Sequence, residues 1–499
     1  LVESGVVTCA DPSRRDEAVF DRLVLGPDEW EGPWEEQGLL TGAVGVAVAD
    51  LDGDGIDDLF VPRFDHPSEL LLGTGDGGFV VTHDRTDVSV EEARGVSAAD
   101  LEGDGDVDLV VYSILADPVV LRNDGTAHFV VEPLLPPHDG EVGCGASVSF
   151  ADADLDGDLD LFHGRVDTPG TDRPCDSFLL FNDGDGRSFT DRSDMLSADV
   201  HANRVLAAGW LPLDDDPYPE LYVVADAPLR SPGNRVLDND GGVLRQVDDH
   251  PLNLSMEGMG IGLAHLDDDD IVDVFVPGID EYAVMVSLAD ADTWVDHSSS
   301  WGLAPDRSAG QSVAWGGDFA DLDNDGLVDL PVVYGPTSTT ETGGASRQPD
   351  AIHRQVSEGV WESVAESWGW ADPIASRSVL AVDLDDNGFL DLVKREVGGR
   401  VYVDLARCDT SAWLSLTLHQ PGRNPRAVGA TVEVWAEGRR HWRSVVQGST
   451  SYSAGQPAEV HIGLGGAEVV DRVVVTWPDG ERVEYAGVAT RQKVEVLRP

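Results

Sequence analysis

Residues 50–58 read DLDGDGIDD, with aspartates at Asp50, Asp52, Asp54 and Asp58 and a glycine, Gly55, sixth in the run. Alternate carboxylates on a tightly turning loop converge on one point, and the glycine permits the sharp turn. Oxygen coordination of a hard cation suits this pattern. Ca2+ accepts roughly six to eight oxygens, and the backbone carbonyl of the seventh residue, Ile56, adds one to the side-chain set. Mg2+ demands stricter octahedral geometry and retains more water, so it matches less well. Carboxylates this close, with no cation shared between them, raise one another's pKa and destabilise the loop. An EF-hand starts the same way but needs a glutamate at position twelve between two helices; position twelve here is Val61, in an apolar run.

The spacing recurs in seven copies, beginning at residues 50, 100, 152, 212, 265, 321 and 383, about 50 to 62 residues apart. The nonapeptide repeat of calcium-binding β-rolls is thereby excluded, its period being far shorter. Three further copies carry four acidic ligands and a seventh-position carbonyl: Asp100, Glu102, Asp104 and Asp108 with Asp106; Asp152, Asp154, Asp156 and Asp160 with Asp158; and Asp321, Asp323, Asp325 and Asp329 with Leu327. The last, Asp383, Asp385, Asn387 and Asp391 with Phe389, exchanges one carboxylate for an amide oxygen. The copy at 265 keeps Asp267, Asp269 and Asp273 as candidate ligands, but has His265 first and Asp270 where glycine belongs. The copy at 212 has Pro212 first and Pro217 sixth, leaving Asp214, Asp216 and Glu220; it is expected to be a structural turn with weak or no metal. The expectation is about five or six Ca2+ ions per chain.

The elements that position these loops are strands. Each copy follows a run of small residues such as GAVGVAVA, RGVSAA or GASVSFA, and precedes an apolar run such as LFVPRF or LVVYSI. A third run leads through a glycine turn to a fourth, as in VVLRNDGTAHFVV, which is a hairpin signal. Each unit is therefore a four-stranded antiparallel sheet. Fifty residues with one acidic turn bury too little to stand alone, so the sheets are expected to pack radially as a seven-bladed β-propeller over residues 1–408. The N-terminal stretch AVFDRLVL (18–25) is expected to complete the last blade. The four cysteines allow three pairings; Cys9–Cys408, at the closure, and Cys144–Cys175, within one repeat, are favoured over unpaired thiols in a reducing compartment. Residues 409–499 lose the acidic repeat and give about seven short alternating strands, the pattern of a small β-sandwich. The fold class is all-β.

The strand–DxDxDGxxD–strand unit resembles the FG-GAP/VCBS repeat, known from integrin α-subunit propellers and many secreted bacterial proteins. In those propellers metal sits in the loop joining the first two strands of a blade, and EEQGLL…GVAVADLDGDGIDDLF is similar to the family's entry into a blade. The segment 424–485 resembles an ASPIC/UnbV domain through NPRAVGA, QGSTSY, VHIGLG and VVVTWPDG. The combination resembles the cartilage acidic protein family and its bacterial relatives. The copies at 212 and 265 depart from the family's metal loops.

A net charge of −60, from 93 acidic against 33 basic residues, argues against a nucleic-acid partner. No apolar run is long enough for a transmembrane segment. The chain opens without Met and without a basic and then apolar leader, read as a signal peptide removed or a trimmed start. No HExxH, GxSxG or Walker sequence occurs, and GCGAS (143–147) reads as a disulfide cysteine rather than a nucleophile. These readings converge on a secreted or cell-surface, calcium-stabilised binding or adhesion scaffold with structural metals. An extracellular glycan or protein would be bound at one face or in the central channel. Trp210, Trp315, Trp368 and Trp370, or Trp435, Trp442 and Tyr452, are candidate platforms for such a ligand. The alternative is an extracellular hydrolase or lyase with a site on the propeller face.

Overall fold

The chain is seen in a computed structural model that describes residues 1–499 except 4–5, 10–11, 17–18, 27–42, 65–66, 83–87, 91, 114, 136–143, 167–175, 215, 227–232, 268, 289–292, 308–310, 338–347, 398 and 449. Seven sheets carry four strands of the repeat each, with first strands Ala47–Ala49, Gly95–Ala99, Gly145–Ala151, Val205–Leu211, Gly262–Ala264, Ala314–Gly317 and Ser376–Val382. Strands follow one another antiparallel across every sheet. The seventh sheet takes its outer strand from the N-terminus: Phe20–Leu25 pairs with Val401–Ala406, from Phe20 opposite Ala406 to Leu25 opposite Val401.

Apolar side chains of each sheet interdigitate with those of the next. Phe60 and Leu109 join sheets one and two, Val110 and Leu161 two and three, and Phe162 and Leu221 three and four. Val224 and Val274 join four and five, Phe275 and Leu330 five and six, and Val333 and Leu392 six and seven. Val393 and Leu59 return from the seventh sheet to the first, so the arrangement is a closed, propeller-like ring. Cys9 and Cys408 form a disulfide beside the shared sheet, as the sequence suggests. Cys144 is disulfide-bonded; its expected partner, Cys175, lies outside the described residues, as does EEQGLL.

Residues beyond the ring form two sheets around one apolar core. The order is Val2–Glu3, Gln492–Leu497, Ala412–His419, Val460–Gly465 in one and Arg439–Ser444, Thr431–Ala436, Val469–Thr476, Arg482–Ala489 in the other. Leu414, Leu416, Ile462 and Val496 meet Val432, Val434, Val473 and Trp477 between them. Val2–Glu3 thus belongs to the sandwich by pairing, which a reading of 1–408 as one propeller unit does not anticipate. No helix among the described residues is long and apolar enough to cross a membrane.

The centre of the ring is filled by the sandwich's own QGSTSYSAG segment. Gln447 and Gly448 pair with Phe150 and Ser149 of sheet three. The Ile261 N–H donates to the Thr450 carbonyl (2.9 Å), that of Val379 to Ser451 Oγ (3.2 Å), and that of Val48 to the Gly455 carbonyl (3.1 Å). The first strands are rich in small residues for this reason. A Cβ on Gly45 would lie 2.1 Å from the Ser453 carbonyl oxygen, and one on Gly316 2.7 Å from Ser451 Oγ. The expectation of a ligand in the central channel is corrected accordingly: backbone occupies that space.

Candidate metal centres

Each acidic loop joins the first and second strands of its sheet. Two left-handed residues, fourth and sixth in the run, turn it: Gly53 and Gly55 in loop one (φ 74° and 87°), Asn324 and Gly326 in loop six (57° and 88°). Asp386 takes the fourth position in loop seven and Leu155 in loop three. Asparagine and aspartate tolerate this region, whereas leucine is strained there. The first carboxylate caps the turn. The sixth-residue N–H donates to it in loop one (Gly55 to Asp50, 3.0 Å), in loop six (Gly326 to Asp321, 2.8 Å) and in loop seven (Gly388 to Asp383, 3.0 Å). Where the first residue is Pro212, the sixth is Pro217, so acceptor and donor are lost together.

The ninth-position carboxylate ties the loop to its sheet. Asp58 accepts from the Leu51 N–H (3.0 Å) and, across the sheet, from the Gly73 N–H (2.8 Å). Asp160, Asp273, Asp329 and Asp391 repeat both bonds. Glu220, one methylene longer, makes only the first, leaving its buried Oε1 without a partner.

Four loops of the expected set bring three carboxylates to one point, with an oxygen of each within 4.8 Å of the others. These are Asp50, Asp52 and Asp58; Asp152, Asp154 and Asp156; Asp321, Asp323 and Asp325; and Asp383, Asp385 and Asp391. Asp54, Asp160 and Asp329 stand outside these trios. The N–H groups of Ile56, Leu327 and Phe389 donate to Asp54, Asp325 and Asn387, which holds the seventh residues in the turn. In loop three, Asp152 Oδ1, Asp154 Oδ1 and Asp158 Oδ1 are buried with no hydrogen-bond partner. Oxygen-only donor sets with orphaned oxygens fit a hard cation, and these clusters could hold one.

Their electrostatics agree. Burial first, and then neighbouring carboxylates, push Asp152 and Asp158 up to about 7 and Asp321 well above the usual range. Burial raises Asp383 to about 8 and Asp160 to about 9, against their backbone or cationic partners. A cation shared between such oxygens removes the reason for the shift.

Loop two departs from the expectation. Arg122, preceding Asn123 on the third strand, donates to Glu102 Oε2 (2.7 Å) and Asp108 Oδ2 (2.9 Å), and Arg187 reaches Glu102 Oε1 (3.0 Å). A guanidinium stands among these acids, and Asp100, Glu102, Asp104 and Asp108 do not form a trio. Arg354, at the matching position of sheet six, holds Asp323 (2.5 Å) and Asp325 (3.0 Å) from one side, and the trio there persists. Loop five also fails to converge: His265 stacks on Trp442 of the sandwich (3.6 Å between centroids), Arg440 pairs with Asp270, and Ser287 Oγ donates to Asp269 (2.5 Å). Loop four, expected to be a plain turn, does gather Asp214, Asp216 and Glu220.

The sandwich rests on this same face. The Gly465 N–H donates to the Asn324 carbonyl (2.7 Å), His461 Nε2 lies 3.1 Å from the Gly388 carbonyl, and Lys493 pairs with Asp386 (2.5 Å). Asn123, Asn182 and Asn239, which read in sequence as hairpin-turn residues, reach the preceding sheet's loop at the Leu51, Leu101 and Ala153 carbonyls. The aromatic sets do not gather into exposed platforms: Trp315 and Tyr452 pack on each other in the interior, Trp370 and Trp442 are buried elsewhere, Trp368 packs on Phe20, the Arg472 guanidinium covers Trp435, and Trp210 lines a cavity beneath the sandwich.

Two family models match parts of the chain. The ASPIC and UnbV family model matches residues 420–499, and that of the FG-GAP-like repeat matches residues 50–111. No curated protein matches the chain. Among solved structures, BBS1N in complex with ARL6DN, soaked with mercury, is similar over 78% of this chain and 97% of that one, with 10% identity and a TM-score of 0.46. AofleA from Arthrobotrys oligospora is similar over 79% of this chain and 94% of that one, with 11% identity and a TM-score of 0.36. The chain thus carries an FG-GAP-like repeat at residues 50–111 and an ASPIC and UnbV domain at residues 420–499.

Proposed function

We propose that the chain is an extracellular, calcium-stabilised scaffold that binds other molecules without transforming them. Its propeller and sandwich act as one unit. The observation that carries this reading is loop three, where three orphaned, buried carboxylate oxygens from Asp152, Asp154 and Asp158 belong to one short turn. Loops one, three, six and seven each take a Ca2+ ion. Loop two does not, because Arg122 already supplies the positive charge. Loop four lacks its first carboxylate and its glycine, and is at most a weak site. The ions neutralise part of a −60 charge and stiffen the loops on which the sandwich rests. The Cys9–Cys408 disulfide supports an oxidising compartment. The non-catalytic reading is supported by the buried histidines: His163 stacks on Phe178, His265 on Trp442, and His461 lies against a loop carbonyl. Native mass spectrometry of the full chain in Ca2+ tests the metal assignment. Four bound ions are expected, and no bound calcium, or an ion that survives Asp152→Ala with Asp154→Ala in loop three, contradicts it.

A further inference from the structure

The acidic copy at 212 keeps its place in the fold while losing its first carboxylate and its glycine to Pro212 and Pro217. It faces the sandwich across a cavity of about 370 Å³, within the size range of small-molecule sites. The loop contributes Pro217 and Tyr218, the strand before it Trp210, and the sandwich Trp477, Pro478 and Gln447. Two of these side chains are almost fully buried, Trp210 at 6% and Trp477 at 1% exposure, and the indole N–H of each has no acceptor. Ser444 Oγ, also in the lining, is buried without a partner. Buried donors with nothing to donate to cost free energy, and in the wall of a cavity an oxygen from outside the chain, a water or a ligand hydroxyl, satisfies them.

We propose that this cavity binds a neutral saccharide, a proposal that rests on reading the chain as a binding scaffold. The walls select the chemistry. A wholly apolar ligand leaves both indole N–H groups unsatisfied. An anionic one meets Asp152, Asp216 and Asp479, which also line the cavity. A neutral sugar presents hydroxyl oxygens to the indole N–H groups and hydroxyl hydrogens to Asp216 and Asp479. Its C–H face packs on the aromatic and proline walls. Asp216, Pro217, Asp479 and Gly480 are exposed at the rim, which leaves room for a sugar chain to continue outward.

The test uses the full chain in Ca2+. It is offered neutral gluco-, galacto-, manno- and fuco-oligosaccharides, with uronate- and sialate-bearing ones as acidic controls, and the strongest neutral binder is taken to calorimetry. Tyr218→Ala is expected to weaken that binder at least tenfold. Trp210→Phe, which keeps a ring and removes the N–H, is expected to weaken it several-fold, and Tyr218→Ala, at a half-buried position, should keep the parent melting temperature. Retention of no neutral saccharide, retention of acidic ones only, or affinity unchanged in both variants overturns the proposal. Calcium-dependent melting without saccharide binding refutes this site and leaves the calcium scaffold standing; loss of both refutes the parent reading.

Discussion

Tyr452 lies at the tip of the segment that fills the ring. It is 1% exposed, accepts a hydrogen bond from the Arg94 guanidinium, and its ring lies 4.8 Å from that of Trp315. Tyr452 and Ser453 both have left-handed backbone (φ 35° and 65°), a strain of about 1–3 kcal/mol each that the docked contacts must outweigh. Removing the ring in Tyr452→Ala is expected to cost about 3–5 kcal/mol, as for other buried aromatics. Removing only the hydroxyl in Tyr452→Phe leaves the ring in place and is expected to cost about 1–3 kcal/mol. Urea unfolding followed by tryptophan fluorescence measures both, since Trp315 sits against the site. The order wild type, Phe, Ala in midpoint is required. A Tyr452→Ala midpoint equal to wild type would show that the segment merely rests in the channel and holds nothing together.

Lys394 is fully buried between Asp350 (3.1 Å) and Asp404 (3.7 Å), beneath the ring of Trp370. Lys394→Met leaves the buried Asp350 without its cation, while Asp404 keeps Arg22, and is expected to cost about 3–5 kcal/mol, read by thermal unfolding; a neutral effect contradicts the pairing. Arg122→Leu, which puts in sheet two the residue type that sheet one has at Leu72, is expected to add one bound calcium by native mass spectrometry, and an unchanged count contradicts the view of Arg122 as an internal cation. Burial drops the His163 imidazole to about 3. The unfolded chain binds this proton near pH 6.5 and the folded chain does not, so the contribution of His163 is complete above pH 6.5. It is lost at about 1.4 kcal/mol per unit as pH falls toward 3. His163→Leu should therefore gain on wild type in acid over that window, and parallel stability–pH curves would contradict the assignment.

Much of the fold is legible in the sequence because period-two patterning and a fixed spacing are local signals. Phe20–Leu25 alternates like a strand that has no neighbour nearby, which is what marks it as the closing one. The filled channel is not local. Gln447–Gly455 is made of small polar residues with no period, and the family-like QGSTSY motif says nothing of where it docks. One signal is present: the small residues in and just before the first strands, Gly45, Ala47 and Gly316, leave room for main chain to lie against them. The acidic loops are legible as candidate ligand spacings, but the guanidinium in loop two is not. Arg122 lies 14 residues after Asp108 in an ordinary strand, and only aligning that strand with the one containing Leu72 exposes it. The lysines Lys394 and Lys493 pair with Asp350 and Asp386, aspartates outside the ligand positions of the loops, which the loop spacing alone does not reveal.

Thermal unfolding in millimolar Ca2+ and in excess chelator tests the central claim most directly. Extracellular calcium modules bind with Kd of about 0.1–1 mM, so at a tenfold excess each site contributes about 1.4 kcal/mol and four sites roughly 6 kcal/mol. With an unfolding entropy of about 2.1 cal/mol/K per residue, cooperative unfolding of a chain this size gives a fall of roughly 6 °C on chelation. A midpoint that drops by several degrees and returns when Ca2+ is restored is the predicted result. A midpoint indifferent to chelator would mean that the acidic loops are held by their hydrogen bonds and arginines alone, and the calcium scaffold would be wrong.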